Sequence, residues 1–218
     1  MGAKLAGAAA AALSLFVVSA QAATISGTSN GLTWTASSAI VGQTSTATNA
    51  AGGNPIYFPQ RPFQNGVVAL IMQEAGGTFI CSGSLLSDRR SVLTAGHCVS
   101  SGAGTDNPIA TTAWFYGGPN PDAVVPFNPG ATPVSVSQYF VNPDYTGEVI
   151  DQNDIAVVRL SEAAPDWATS YDLYAGPLGG QVYDIAGYGA RSDVGGALGA
   201  DLGTGRLRTG QNRYDFRL

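Results

Sequence analysis

The chain has 218 residues, of which 44% are hydrophobic and only 11% charged, a composition that excludes an intrinsically disordered protein. Fifteen acidic residues against ten basic ones give a net charge of -5, so the chain lacks the basic surface that binds nucleic acid. The 29 glycines and 12 prolines favour many short strands joined by turns. We therefore expect an all-β protein of one or two domains with no nucleic-acid partner.

Residues 1–22 are typical of a cleaved signal peptide. Lys4 precedes an apolar run at residues 5–18, and Ala20-Gln21-Ala22 supplies the small-x-small pattern of a cleavage site. An uncleaved membrane anchor is the alternative, but the run is shorter than the roughly 20 residues that a spanning helix needs. The pattern predicts a protein secreted to the extracellular space or the periplasm, with no membrane span after signal removal.

The cysteine content fits an oxidising compartment. Cys81 and Cys98 are the two cysteines of the chain, so they can pair in only one way, and we expect a disulfide. A metal centre needs about four ligands, or three and water, and one histidine with two cysteines falls short of a typical set. No metal or other cofactor is predicted.

Three further segments follow the signal peptide. Residues 23–61 are rich in Thr, Ser, Ala, Gly and Asn and predict a linker or pro-segment, with one weak strand around Thr33-Trp34-Thr35. Residues 62–165 contain short β-type runs and almost no helical periodicity, which predicts a small closed antiparallel barrel. The six candidate strands are residues 66–72, 78–86, 91–94, 112–116, 134–141 and 155–160.

A second unit at residues 166–218 has fewer strand signals. Residues 181–186 read as one strand, and residues 206–216 as the possible beginning of another. One or two strands cannot close a barrel or bury an independent core. We therefore expect the sequence to be a fragment or a truncated product.

The only histidine lies in the segment Thr94-Ala95-Gly96-His97-Cys98, directly after an apolar strand. A lone histidine is more often a structural hydrogen-bonding residue than a catalytic one. This segment, however, resembles the histidine motif of the chymotrypsin and trypsin family of serine proteases. Cys81-Ser82-Gly83-Ser84-Leu85-Leu86 resembles the strand that precedes that motif. The resemblance implies that His97 lies at the barrel surface and faces an active-site cleft.

A second match follows in the expected order. An aspartate before an apolar strand is usually a solvated turn or cap residue, but Asn153-Asp154-Ile155-Ala156 resembles the segment that carries the buried carboxylate of the family's triad. Asp151 is the nearby alternative, although no hydrophobic run follows it directly. Gly187-Tyr188-Gly189 is similar to a turn at the start of the family's second barrel.

The resemblance spans about residues 62–216 and implies a trypsin-like double antiparallel β-barrel with the first barrel complete and the second only begun. It also implies a serine endopeptidase in which His97 is the general base and Asp154 orients it, acting on polypeptide substrates or bound by a proteinaceous inhibitor. The family's G-D-S-G-G-type nucleophile segment does not occur in the sequence. The chain alone is therefore expected to be inactive.

Two groups of serines could suggest a substitute nucleophile. Ser82 and Ser84 are interpreted as small packing residues of the barrel, and Ser192-Asp193-Val194-Gly195-Gly196 has the wrong order of residues. The alternative to a protease is a non-catalytic, protease-like secreted binding protein. Such a protein would have no chemical need for His97 and Asp154.

Overall fold

A computed structural model describes residues 57–102, 108–148, 151–192 and 203–213, together with the backbone of three earlier strands. The predicted signal peptide at residues 1–22, most of the predicted linker at 23–61, and residues 193–196 lie outside the described residues. No helix in the described part of the chain has both the length and the apolar character needed to cross a membrane.

Twelve strands are present among the described residues. In chain order they are β1 (Thr24–Ser29), β2 (Leu32–Ser37), β3 (Ile40–Val41), β4 (Val67–Glu74), β5 (Gly77–Leu85), β6 (Ser91–Thr94), β7 (Ala110–Phe115), β8 (Thr132–Val141), β9 (Ala156–Leu160), β10 (Val182–Gly187), β11 (Arg191–Ser192) and β12 (Arg208–Arg213). Strand β1 pairs antiparallel with β2, which contains the predicted weak strand at Thr33-Trp34-Thr35. Strand β3 pairs in parallel with β11.

Strands β4 to β9 form a closed barrel in the order β4-β5-β6-β9-β8-β7, and every pair is antiparallel. The all-β class and the closed six-stranded barrel are therefore confirmed. The barrel closes because β4 pairs with β5 along one edge and with β7 along the other. Closure leaves no exposed row of unpaired backbone groups along either edge.

Strand β4 has apolar residues on both faces. Val68, Leu70 and Met72 point into the barrel and belong to its main core. Val67 and Ala69 alternate with them and belong to a second apolar cluster outside the barrel. Since successive side chains of a strand point to opposite faces, the unbroken apolar run of β4 supplies two cores at once.

The second unit packs against this outer face of β4. Strands β10 and β12 pair antiparallel, from Val182 opposite Arg213 to Gly187 opposite Arg208. Tyr188 is fully buried in the outer cluster, and its hydroxyl donates a hydrogen bond to the carbonyl of Val67 at 3.2 Å. The hairpin is thereby fixed to the first barrel.

A buried ion cluster adds a second attachment. Asp122 pairs with Arg208 and with the Nε of Arg206, the latter at 3.2 Å. Arg208 is only 1% exposed, and burial lowers the pKa of its guanidinium while the hydrogen bond with Asp122 opposes that shift. A buried charge is costly without a partner. Asp122 therefore stabilises the buried guanidinium of Arg208 at the start of β12.

Candidate active site

The pairing of β6 with β9 brings the two predicted site residues together. Thr94, the last residue of β6, lies opposite Ala156, the first residue of β9. In an antiparallel pair the end of one strand lies beside the start of the other. His97 follows Thr94 within one short turn, and Asp154 comes just before Ala156, so both lie at the same rim of the barrel.

The carboxylate of Asp154 makes two contacts with His97. The backbone N–H of His97 donates to Oδ1 at 2.7 Å, and ring atom Nδ1 lies 2.7 Å from Oδ2. The Asp154 side chain is 11% exposed, whereas that of His97 is 38% exposed. The carboxylate is therefore sheltered while the imidazole remains open to solvent.

This geometry determines the tautomer of the neutral ring. A carboxylate can only accept hydrogen bonds, so Nδ1 must carry the proton in the contact with Asp154. The other ring nitrogen, Nε2, then has its lone pair free. Such a ring can take a proton at Nε2 from a hydroxyl group placed next to it.

Local backbone structure holds His97 in this position. Gly96–Cys98 form a single 3-10 turn, in which the N–H of Val99 donates to the carbonyl of Gly96 at 3.0 Å. A Cβ atom at Gly96 would lie 3.1 Å from Oδ1 of Asp154 and 3.1 Å from the ring of Tyr145. Gly96 therefore lets the turn approach the carboxylate closely.

Tyr145 forms the buried floor beneath this turn. It is 2% exposed, and its hydroxyl has no hydrogen-bond partner among the described residues. Burial raises the pKa of Tyr145, and the negative charge of Asp154 raises it further. The phenol is therefore neutral, and its ring supports Gly96 from below.

Asp151 has a different role from Asp154. Its carboxylate accepts hydrogen bonds from the hydroxyl of Thr146 at 2.7 Å and from the backbone N–H of Asn153 at 2.8 Å. These hydrogen bonds lower the pKa of Asp151. Asp151 thus shapes the loop before Asp154.

The predicted disulfide between Cys81 and Cys98 is confirmed. The two Cα atoms lie 6.2 Å apart, within the range that a disulfide can bridge. The bond joins β5 to the residue after His97. Closing a loop of this size stabilises the fold by about 3 kcal/mol in the chain-entropy model.

Among the described residues, one group of side chains is close enough together to be considered as metal ligands. Its members are Cys81, His97 and Cys98, whose ligand atoms lie within 4.8 Å of one another. Metal binding by cysteine requires the thiolate. Because both sulfur atoms are in the disulfide, the group offers a metal ion one imidazole at most.

Of the serines considered from the sequence, the structure describes the side chains of Ser82 and Ser84, which have other surroundings than the His97 ring. The Ser82 hydroxyl accepts a hydrogen bond from the backbone N–H of Tyr188 at 2.8 Å, which ties β5 to the second unit. Ser84 lines a cavity between the barrel and β10. Within the described ranges no hydroxyl group hydrogen-bonds to the His97 ring.

A cavity of about 420 Å³ lies beside His97. Among the described residues, those that share it with His97 are Glu74, Ala75, Gly76, Ser100, Ser101 and Ile109. Sequence analysis did not identify these residues as part of the site. They come from three separate segments, and no motif links them.

A closed antiparallel barrel with a histidine-aspartate pair at its rim defines the class of β-barrel serine-protease folds. A sequence model of the family described as Trypsin matches residues 50–209. This match covers well over half of the chain. The chain belongs to the trypsin family.

Two individual proteins are similar to parts of this chain. The chain is 32% identical over 116 residues to "Serine protease Hayan" of Drosophila melanogaster, a match that covers 51% of this chain and 17% of that protein. A solved structure described as "Structure of GrC" superposes with a TM-score of 0.54 at 18% identity, covering 79% of this chain and 64% of that one. The chain thus spans less than two thirds of the length of either protein.

Proposed function

We propose that this chain supplies the general base and the orienting carboxylate of a secreted serine endopeptidase, which hydrolyses peptide bonds through a Ser-His-Asp triad. The observation that carries the proposal is the double contact of Asp154 with the backbone N–H and the ring Nδ1 of His97. Membership of the trypsin family supports the reaction class.

Each residue has a defined task in this reaction. Nε2 of His97 takes the proton from the serine hydroxyl as the oxygen attacks the peptide carbonyl, and it then returns a proton to the leaving amine. Asp154 keeps the ring in the correct tautomer and stabilises the imidazolium that forms between these steps. The sheltered carboxylate suits the second task, because its negative charge is screened by little water.

We also propose that the nucleophile lies outside residues 1–218. Residues 1–218 contain no G-D-S-G-G-type segment. Without a serine to acylate, His97 and Asp154 can only move and stabilise a proton. Loss of the nucleophile in an unrelated serine protease lowers turnover roughly a million-fold. Residues 1–218 alone should therefore not hydrolyse peptides.

Secretion is part of the proposal. Two features support it: the signal-like pattern of residues 1–22 and the Cys81–Cys98 disulfide, a bond typical of oxidising compartments. The partners would be polypeptide substrates or a proteinaceous inhibitor. N-terminal sequencing of the exported protein would test the cleavage after Ala22.

The activity is tested with a mixed peptide library. Residues 1–218 and a chain continued through a complete second barrel with a G-D-S-G-G segment are compared, each with its His97→Ala variant. Gln138→Ala, an exposed position on β8, is the control. We expect turnover only by the continued chain, abolished by His97→Ala and unchanged by Gln138→Ala.

Two results would contradict the proposal. Turnover by residues 1–218 that disappears in His97→Ala would mean that a serine within this chain is the nucleophile. A continued chain that folds but does not hydrolyse any peptide would favour the alternative, a non-catalytic binding protein of the same family.

A further inference from the structure

The cavity beside His97 has an acidic wall. Glu74 is exposed, and its carboxylate has no hydrogen-bond or ion-pair partner among the described residues. An unpaired carboxylate at the surface is ordinary. One that shares a cavity of about 420 Å³ with a proposed general base is in a position to contact a substrate.

Strand register fixes Glu74 at this rim. Glu74 is the last residue of β4 and lies opposite Gly77, the first residue of β5, so Ala75 and Gly76 form a tight connection. Gly77 has a φ of 142°, a conformation that favours glycine. The hairpin tip therefore holds the Glu74 backbone in one place.

Ile109 gives the cavity an apolar part near Glu74. The backbone N–H of Ile109 donates to the carbonyl of Gln73 at 2.7 Å, which places Ile109 beside the end of β4. Ile109 is 76% exposed. A ligand that covered it would gain the free energy of burying apolar surface.

Ser100, a polar residue of the lining, is less available to a ligand. Ser100 is buried, and its hydroxyl accepts a hydrogen bond from the backbone N–H of Gly102 at 3.1 Å. Among the described lining residues, Glu74 supplies a carboxylate and Ile109 the largest apolar side chain. A lysine or arginine side chain combines a cationic head with an apolar stem, and it complements both.

The chemistry of the proposed reaction indicates which part of a substrate reaches the cavity. His97 must deliver a proton from Nε2 to the leaving amine, so that amine lies next to the imidazole. The peptide that departs begins at this amine. Its first side chains are therefore close to the cavity that His97 helps to line.

We propose that Glu74 selects a lysine or arginine side chain on the leaving-group side of the scissile bond. This inference rests on the proposed function, because it takes the direction of the substrate from the proton transfer at His97. An acidic side chain in the same place is repelled by Glu74. A neutral one gains only the contact with Ile109.

The inference can be tested without turnover, because His97 is the only histidine of the chain. Its Cε1–H resonance in the proton NMR spectrum is a direct reporter of binding at the cavity. The probes are three peptide amides with a free amino terminus, Lys-Ala-Ala, Ala-Ala-Ala and Glu-Ala-Ala, each titrated into residues 1–218 at constant pH and salt.

We expect the lysine peptide to bind roughly 2- to 5-fold more tightly than the alanine peptide, as for an ion pair that remains partly solvated. The glutamate peptide should bind most weakly. Glu74→Gln should remove the differences, and Glu74→Lys should reverse their order. Glu162→Gln is the matched control, because Glu162 is an exposed glutamate beyond the far end of β9.

Equal affinities of the three peptides in the wild-type chain would overturn the inference, as would an effect of Glu162→Gln as large as that of Glu74→Gln. These outcomes are independent of the peptidase test. Hydrolysis that depends on His97 but shows no basic preference would leave the proposed function intact and refute the role of Glu74. A continued chain could instead show a basic preference that depends on Glu74 but no turnover. That result would refute the proposed function and leave the binding preference of Glu74 intact.

Discussion

Replacing Asp154 by asparagine tests the central contact of the site with little change in shape. In the native site the backbone N–H of His97 donates to Oδ1 of Asp154 at 2.7 Å. The side-chain oxygen of the asparagine amide can still accept this hydrogen bond. The amide nitrogen then faces Nδ1, which lies 2.7 Å from Oδ2 in the native site. Because that nitrogen is a donor, Nδ1 must become the acceptor and the proton must move to Nε2.

The structure allows the size of the effect to be estimated. A hydrogen bond to a charged group contributes about 1.5–3 kcal/mol to stability, and water can replace the partner of the imidazole, which is 38% exposed. We therefore expect Asp154→Ala to lower the free energy of unfolding by about 2 kcal/mol. Asp154→Asn keeps the contact with the backbone N–H and replaces the charged contact at Nδ1 by a hydrogen bond from a neutral amide, so it should cost about 1 kcal/mol or less.

The two variants should differ more in chemistry than in stability. In the continued chain, Asp154→Asn should lower turnover roughly 10⁴-fold, because Nε2 loses the lone pair that accepts the serine proton. The tautomer is measured in residues 1–218 by the ¹⁵N shifts of the imidazole, which belong to His97 alone. Denaturant unfolding gives the stabilities. Asp166→Asn, at an exposed position after β9, is the control.

The reasoning is refuted if the neutral ring of Asp154→Asn keeps its proton on Nδ1. It is also refuted if the wild-type ring carries the proton on Nε2. Either result would mean that Asp154 does not determine the tautomer of His97, and its proposed role would have to be abandoned.

Three further predictions concern the frame of the site. Replacing Cys81 and Cys98 by alanine should lower the free energy of unfolding by about 3 kcal/mol in denaturant melts, and an unchanged midpoint would contradict this. Asp122→Ala should cost about 3–5 kcal/mol, because it leaves the buried guanidinium of Arg208 without this carboxylate; a cost below that of an exposed Asp→Ala change would disprove it. The lowered pKa of Asp151 stabilises the fold above the unfolded pKa, and this contribution is lost as the pH falls through the folded value. Asp151→Asn should therefore flatten the acid side of a stability–pH profile, and an unaltered profile would count against the assignment.

The features that sequence predicted well are local ones. Short apolar runs bounded by glycine and proline predicted the six barrel strands. Closure was predicted because an open sheet of these strands would expose unpaired edges. The bounds of the strands in the structure differ from the predicted ones by a few residues. For example, the strand predicted to begin at Thr112 begins at Ala110, because β7 continues its pairing with β4 as far as Gln73.

The contact between His97 and Asp154 was also expected from sequence, since both segments border apolar strands and resemble family motifs. Only the pairing of Thr94 with Ala156 explains physically why the contact forms. That register depends on the order of strands around the barrel, in which β9 follows β6 although β7 and β8 intervene in the chain. Local pattern does not contain this order.

The outer core was missed although a signal for it exists. A strand with one face in water alternates apolar and polar residues, whereas residues 67–72 are apolar without interruption. That run indicates burial on both faces and hence a second layer outside the barrel. The layer's partners, Tyr188 and Leu207, are far away in the sequence, and only the structure identifies them.

The cavity beside His97 could not have been predicted from sequence, because its lining residues come from separate segments. Glu74 lies at a hairpin tip, His97 in a turn after β6, and Ile109 before β7. Each position is an unremarkable surface site within its own segment. They face one cavity because β4 pairs with β5 and β7 at once, so the end of β4 is fixed relative to both neighbours. If Glu74 selects a basic side chain, that preference is a property of barrel closure, and transplanting Glu74 with its hairpin alone into an open sheet should not transfer it.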